Sequence, residues 1–403
     1  MRKLYITIIC LFLANSFNLV FAQEANLQQA KFRKTVEEAR KALDAEPDRG
    51  DLMVVIANNY AWQEKTDSAL VYIEKAKQIN YYNDDLFDSW LNILLWSHRY
   101  DSLLEVCKVA KEYKYSHTEN LLRKRMIACT ELRNYDDGIK IANAPENKEF
   151  LKLNDISYMY NNLFMKRNTN VVQAFYSIDC FDHNAPQHLA NLGYAFKVGK
   201  HSLAFRANYA DRYKMNDVLL ESDLYLQMNN KSYMYFNYGY AFDASLFPRH
   251  RAGYEYYMPL KYKMEASLGA RYMKYISSEV FIATGHLEKY MGNHWVAFRP
   301  FYVMQDKGNS FTLLANYRFY GKNPLNYWGV ELTYGNSPDD SRATMENAAF
   351  NNLDAYKVKL ERNFMLNSIS DVRISIGYTK EEYITSKFRN RYLIELGYRF
   401  RLR

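Results

Sequence analysis

The chain has 403 residues, room for two to four domains of ordinary size. Charged residues make up 24%, and 37 tyrosines and 23 phenylalanines inflate an apolar share of 48%, while only 15 glycines and 8 prolines occur, which excludes a disordered, collagen-like or low-complexity chain. Lysine and arginine number 53 against 45 acidic residues, a net charge of +8 with no long basic run, so no nucleic-acid partner is expected. Mean hydropathy is −0.45, and past residue 22 nothing approaches the ~18 to 20 apolar residues of a membrane helix, which excludes a polytopic helical membrane protein.

Arg2 and Lys3 precede an apolar run from Leu4 to Ala14, and Val20-Phe21-Ala22 ends in a small residue before Gln23. The pattern predicts a secretory signal over 1–22, cleaved after Ala22. Cys10 leaves with it. Cys107, Cys129 and Cys180 remain, an odd number without C-x-x-C spacing or clustered histidines, so neither a metal nor any other cofactor is expected. Cys107 falls on an apolar helical face and reads as a small core residue.

From 24 to 168 the pattern is helical and repeats. Ala42, Ala76 and Ala110 are 34 residues apart, as are Pro47, Tyr81 and Tyr115. Met53, Ile56-Ala57, Tyr60, Ala69, Ile73 and Ala76 stand where a tetratricopeptide repeat places its large, small and aromatic residues, and the region resembles that repeat. Small residues let paired helices approach, while Tyr60 and Ile73 fill the space between stacked hairpins. About three hairpins follow a leading helix near 26–46, and a last helix near 147–167 caps them. Trp62, Trp90 and Trp96 are read as core, with a partner groove as the other reading.

After Asn170 the period changes from about 3.6 to 2. Twenty-six of the 37 tyrosines fall in 171–403. Met234, Phe236, Tyr238, Tyr240 and Phe242 alternate with Asn237, Gly239, Ala241 and Asp243, and similar segments recur. Ten residues at ~3.3 Å each, tilted by ~40°, span the ~25 Å lipid-facing band of a transmembrane barrel. Fourteen such segments are counted, with 12 or 16 as alternatives. The expected fold is therefore two-part: a helical repeat domain over 24–168 in the periplasm, then an antiparallel β-barrel over 171–403 in the outer membrane. Short connections alternate with longer ones, the longest running from Gly335 to Asn352. A soluble β-sandwich is the competing fold, since it also alternates.

With the apolar face turned to lipid, the inward face holds Arg206, Arg212, Arg271, Arg299, Arg318, Lys357, Lys359, Arg373 and Arg399 against Glu221, Asp223, Glu265, Glu331, Glu361 and Glu395. Guanidinium groups bind carboxylate or phosphate through paired donors. Arg206, Arg212, Arg271 and Arg299 are therefore the candidate ligand-binding residues, with Tyr233 and Tyr235 offering inward rings for stacking. Salt bridges from the arginines to Glu221, Asp223 and Glu265 are the structural reading of the same residues. No G-x-S-x-G or H-E-x-x-H motif occurs, and no catalytic residue is assigned.

Five strings carry a further resemblance: Arg206 to Arg212, Leu246-Phe247-Pro248-Arg249-His250-Arg251, Gly269-Ala270-Arg271-Tyr272, Thr284-Gly285 with Lys289 to Trp295, and Ser337-Pro338-Asp339-Asp340. In order and spacing they resemble the YaiO-type outer-membrane β-barrel family over about 171–403. The resemblance implies an outer-membrane barrel that often follows tetratricopeptide-like repeats, and it implies no activity. His286 stands where a small residue is more usual. Joining such repeats to a barrel is also similar to polysaccharide-export porins, in which repeats recruit enzymes and the barrel passes polymer. The expected partners are outer-membrane lipid, a periplasmic protein at the repeats, and a polysaccharide. The rival expectation is a structural or docking barrel with a salt-bridge-filled lumen, and the third an enzyme acting on envelope lipid or glycan.

Overall fold

A computed structural model describes residues 35–182, 185–305, 308–321, 323–335, 355–384 and 387–403. The signal over 1–22 and the string Ser337 to Asp340 lie outside them. The chain forms two compact units, Met1–Leu151 and Lys152–Arg403.

In the first unit helix α1 is described over 35–45 and is followed by α2 (Gly50–Trp62), α3 (Thr66–Gln78), α4 (Asp84–Trp96), α5 (Tyr100–Glu112), α6 (Thr118–Glu131) and α7 (Tyr135–Ala142). Ala57, Ala69, Ala76 and Ala110 are fully buried, and Ile73 and Cys107 lie with them in two apolar clusters. Burial pushes the Cys107 thiol up to about 12, consistent with an inert core residue. The repeat is also written in the backbone. Glu64, His98 and Arg133 take left-handed φ of 59°, 58° and 61°, and Asn80 and Lys114 do so at 60° and 57°. Each is followed by an N–H that reaches back to close its helix, Lys65 to Tyr60 O and Arg99 to Leu94 O both at 2.9 Å. One residue departs from the pattern of burial, and one expectation fails with the tryptophans. Ala42 is exposed, because α1 turns Val36 and Ala39 inward instead. Trp62 and Trp96 are 66% and 53% exposed, so of the three tryptophans only Trp90 packs against the core clusters.

The second unit begins with α8 (Asn154–Arg167). The expected capping helix is interrupted: Pro145–Asn147 and Phe150–Lys152 are short 3-10 turns before α8 starts.

Fourteen strands follow: β1 Asn170–Phe181, β2 Gln187–Val198, β3 His201–Arg212, β4 Met215–Gln227, β5 Tyr233–Ala241, β6 His250–Leu260, β7 Met264–Lys274, β8 Glu279–Met291, β9 His294–Gln305, β10 Ser310–Tyr320, β11 Tyr327–Tyr334, β12 Ala355–Asn367, β13 Ser370–Ile384 and β14 Lys387–Leu402. Each pairs with its sequence neighbour, and β1 closes the wall on β14 from Asn170↔Leu402 to Phe181↔Arg391. Closure leaves no unpaired edge, which is what a strand wall needs in hydrocarbon. The last two strands run longer than their alternation indicates. Large apolar side chains such as Leu192, Tyr238, Leu268, Phe281 and Ile376 stand exposed on the outer face. That face is the lipid surface of an outer-membrane barrel. The end where β1 begins and β14 finishes is called the terminus rim below, and the opposite end the loop rim. Two-residue turns at Gly199 and Gly292, with φ of 61° and 60°, close hairpins at the terminus rim, and Tyr334 and Ala355, which end β11 and begin β12, lie at the loop rim.

Candidate functional site

The alternation that turns apolar residues to lipid turns the other parity into the lumen, where three zones follow one another along the barrel axis.

The middle zone is a belt of charges. Arg206 on β3 meets Asp223 at 2.9 Å and Glu221 at 3.5 Å on the adjacent β4. Asn237 donates to Asp223 at 2.9 Å, and Tyr235 donates to the same carboxylate at 2.8 Å. Glu255, only 1% exposed, receives Arg299 at 2.7 Å and Arg271 at 3.3 Å, with the Ser267 hydroxyl also donating to it. Glu331 lies 3.0 Å from Lys357 and 3.2 Å from Lys359, and Asp371 joins Arg399 and Arg401 at 2.6 and 2.7 Å. Room for these long side chains comes from inward glycines on neighbouring strands. Gly239 faces Glu221 and Arg251, Gly253 faces Arg271, Gly269 faces Glu255, and Gly329 faces Glu361 and Arg318. A Cβ on Gly269 would stand 2.5 Å from Tyr254 O and 2.8 Å from the Glu255 side chain.

The candidate arginines are thus distributed unevenly. Arg206, Arg271 and Arg299 belong to the belt, whereas buried Arg212 sits six residues further along β3, ~20 Å nearer the loop rim. The expected partner Glu265 is not the one used: Arg271 and Arg299 share Glu255, and Glu265 accepts from Tyr233 at 3.1 Å. Beside Arg206 a recess of about 250 Å³ is lined by Gln173, Asn191, Asp371, Arg373 and Arg399.

Toward the terminus rim the lumen becomes aromatic. Tyr233 stacks on Tyr257 with centroids 4.4 Å apart and planes 8° apart, and Tyr225 lies 4.9 Å from Tyr235. On the other side Tyr290 lies 6.4 Å from Trp295 and 6.5 Å from Tyr320, which lies 5.4 Å from Tyr327. The Arg318 guanidinium sits 4.8 Å from Trp295 and 4.6 Å from Tyr327. Inward aromatics therefore extend from β4 to β11. Tyr233 and Tyr235 were legible by parity; the other members share the parity of inward charges on their own strands, which is the signal that finds them.

Toward the loop rim two apolar groups lie inside the wall, beside charged pairs such as Arg391 with Asp179 at 2.9 Å and Arg389 with Glu381 at 2.6 Å. The connection between β5 and β6 folds inward: Leu246 and Phe247, each 2% exposed, pack with Leu189, Ala210 and Leu219 of the wall. Asp217 fixes it, its carboxylate accepting the backbone N–H groups of Leu246 and Phe247, both at 3.0 Å. A second apolar group, including Met273, Tyr275, Val280 and Phe301, lines β7 to β9.

Residues 169–340 match the family model described as YaiO membrane beta barrel domain. No curated protein matches the chain. Among solved structures, Omp33 of Acinetobacter baumannii is 13% identical with a TM-score of 0.39, covering 58% of this chain and 98% of that one. A bacterial polysaccharide outer membrane secretin is 9% identical with a TM-score of 0.39, covering 59% and 99%, and KdgM porin in complex with disordered oligogalacturonate is 12% identical with a TM-score of 0.32, covering 57% and 98%. Over residues 169–340, most of the barrel, this chain is thus similar to the YaiO membrane β-barrel domain family.

Proposed function

We propose that the chain is a gated outer-membrane conduit for a surface polysaccharide, with its helical hairpins over 24–168 in the periplasm as a docking platform for a protein that makes or modifies the polymer. The inward aromatic zone at the terminus rim carries this reading. In a barrel, aromatics normally gird the lipid face. Here a set of them faces the lumen, on strands ~4.8 Å apart. The C–H faces of sugar rings stack on such π-faces, and successive rings on a chain can step from one platform to the next. Beyond them the charged belt keeps the middle of the lumen wet and offers donors and acceptors to hydroxyls. Arg206, Arg271 and Arg299 act there as wall donors already neutralised by carboxylates, so the belt does not require an acidic polymer. The recess beside Arg206 is the place for a carboxylate substituent if the polymer has one. Arg212 stands near the loop rim, on the exit side.

In this reading the inward loop between β5 and β6 is the gate that closes the conduit at rest. It also favours a second reading, a docking barrel with no transported substrate, since arginines paired with carboxylates and a loop packed inside the wall are what a solid strut needs. Oligosaccharide binding separates the two. Full-length protein in detergent, titrated calorimetrically with fragments of the cell's own surface polysaccharide, binds in the conduit reading. Joint substitution of Tyr233→Ala and Tyr257→Ala weakens that binding by about tenfold, the equivalent of one or two aromatic contacts. Absence of binding by any fragment leaves the strut.

A further inference from the structure

We propose that the outer wall at β10 to β12 and the first turns of α8 form a binding site for the phosphate of an anionic phospholipid, at the membrane interface of the terminus rim. The site faces away from the lumen, so it does not depend on what the lumen carries. A cavity of about 520 Å³ is lined by Asn154, Ser157 and Asn161 of α8 and by Phe319, Trp328 and Arg362 of the wall. The parity of these wall residues is the lipid-facing one: Phe319 and Trp328 are 45% and 61% exposed, while Glu361 and Tyr327 beside them point inward.

Arg362 is the unusual member. An outward guanidinium is costly at the bilayer midplane and tolerated near an interface. It lies opposite Trp328 in the strand register, and Trp328 is next to the first residue of β11, so the pair is at the interfacial height that tryptophan favours. Its guanidinium sits over the Trp328 ring at 4.9 Å. Among the described residues no carboxylate lies within ion-pair reach of it, whereas the lumen arginines of the belt have carboxylate partners. Across the cavity are amide and hydroxyl side chains and the N-terminal turn of a 14-residue helix, whose first N–H groups lack intrahelical acceptors. A cation with paired donors and neutral donors opposite it suit a phosphate oxyanion, and Asp155 in the first turn of α8 is not among the residues lining the cavity. The anion present at that height is a phospholipid phosphodiester, with acyl chains running along Phe319 and Trp328.

The test uses full-length protein in nanodiscs of phosphatidylglycerol and phosphatidylcholine, released into detergent and weighed by native mass spectrometry. Wild type retains phosphatidylglycerol in preference to phosphatidylcholine. Arg362→Gln lowers that retention by about tenfold, the effect of losing a charge-assisted contact, and Arg362→Lys restores part of it. Ser157→Trp, on a helix outside the strand wall, fills the cavity and gives the same loss even if Arg362→Gln fails to fold. Equal retention of the two lipids, or of phosphatidylglycerol by wild type and Ser157→Trp, overturns the proposal. Displacement of the retained lipid by millimolar inorganic phosphate overturns the lipid as the source and leaves a free-anion site.

Discussion

The Asp217 carboxylate accepts the backbone N–H of Phe247 at 3.0 Å, tying the rim of β4 to a loop thirty residues later that lies inside the barrel. The same oxygen holds Leu246, so one side chain satisfies two successive donors of a segment otherwise kept in place by apolar contact. Asp217→Ala leaves both donors without their acceptor, at about 1.5–3 kcal/mol for each hydrogen bond to a charged group, and releases the loop. In a Cys180→Ser background, Phe247→Cys is then labelled by a membrane-impermeant thiol reagent, while the same cysteine with Asp217 intact stays protected.

Glu255 is the shared acceptor of Arg271 and Arg299. Glu255→Ala withdraws the acceptor from two guanidiniums and destabilises the barrel by about 3–5 kcal/mol, whereas Arg299→Ala leaves Arg271 to Glu255 and costs less. Gly269→Ala, crowding Tyr254 O and Glu255, is destabilising, while Gly253→Ala, whose nearest neighbour would be 3.5 Å away, is tolerated. Heat-modifiable migration against urea ranks the four variants.

Asp84 links two repeats by accepting from the Ser116 hydroxyl and, at 3.0 Å, from the Ser116 backbone N–H. The Ser116 hydroxyl, then its N–H, hold the Asp84 carboxyl below its ordinary value. A depressed folded pKa contributes stability that is complete above the unfolded value, ~3.9, and lost as pH falls through the folded one. Thermal melts of Asp84→Asn therefore show a smaller loss between pH 5 and pH 3, about one unit either side of that value, than wild type. Equal losses contradict the assignment.

The helix ends use left-handed residues that are not glycine, among them His98 and Lys114. Such a conformation costs a residue with a Cβ about 1 kcal/mol. His98→Gly and Lys114→Gly each raise the helical unit's stability by up to that amount in denaturant melts, while Ala57→Gly, inside α2, lowers it.

Much of this was legible because strand alternation has a short period and a strong consequence. Fourteen segments and the inward placing of Arg206, Arg271, Arg299, Tyr233 and Tyr235 follow from parity alone. Glu255 was missed where Tyr254, Tyr256 and Tyr257 put rings on both faces of β6 and blur the alternation. The inward loop between β5 and β6 was missed for a different reason. Leu246-Phe247-Pro248 has no period to read, and its partner Asp217 is distant in sequence. Ala42 shares the 34-residue spacing but not the burial of Ala76 and Ala110, because spacing fixes a position in a repeat and not the presence of a neighbour to bury it.

Current through the full-length protein in a planar bilayer, with Asp217 intact and with Asp217→Ala, tests the central claim most directly. A gated glycan conduit shows rare openings in the first and frequent ones in the second, and oligosaccharide added at the terminus rim interrupts them unless Tyr233 and Tyr257 are both alanine. A barrel that conducts nothing in either form, with the loop shown to be free by labelling at position 247, contradicts the account.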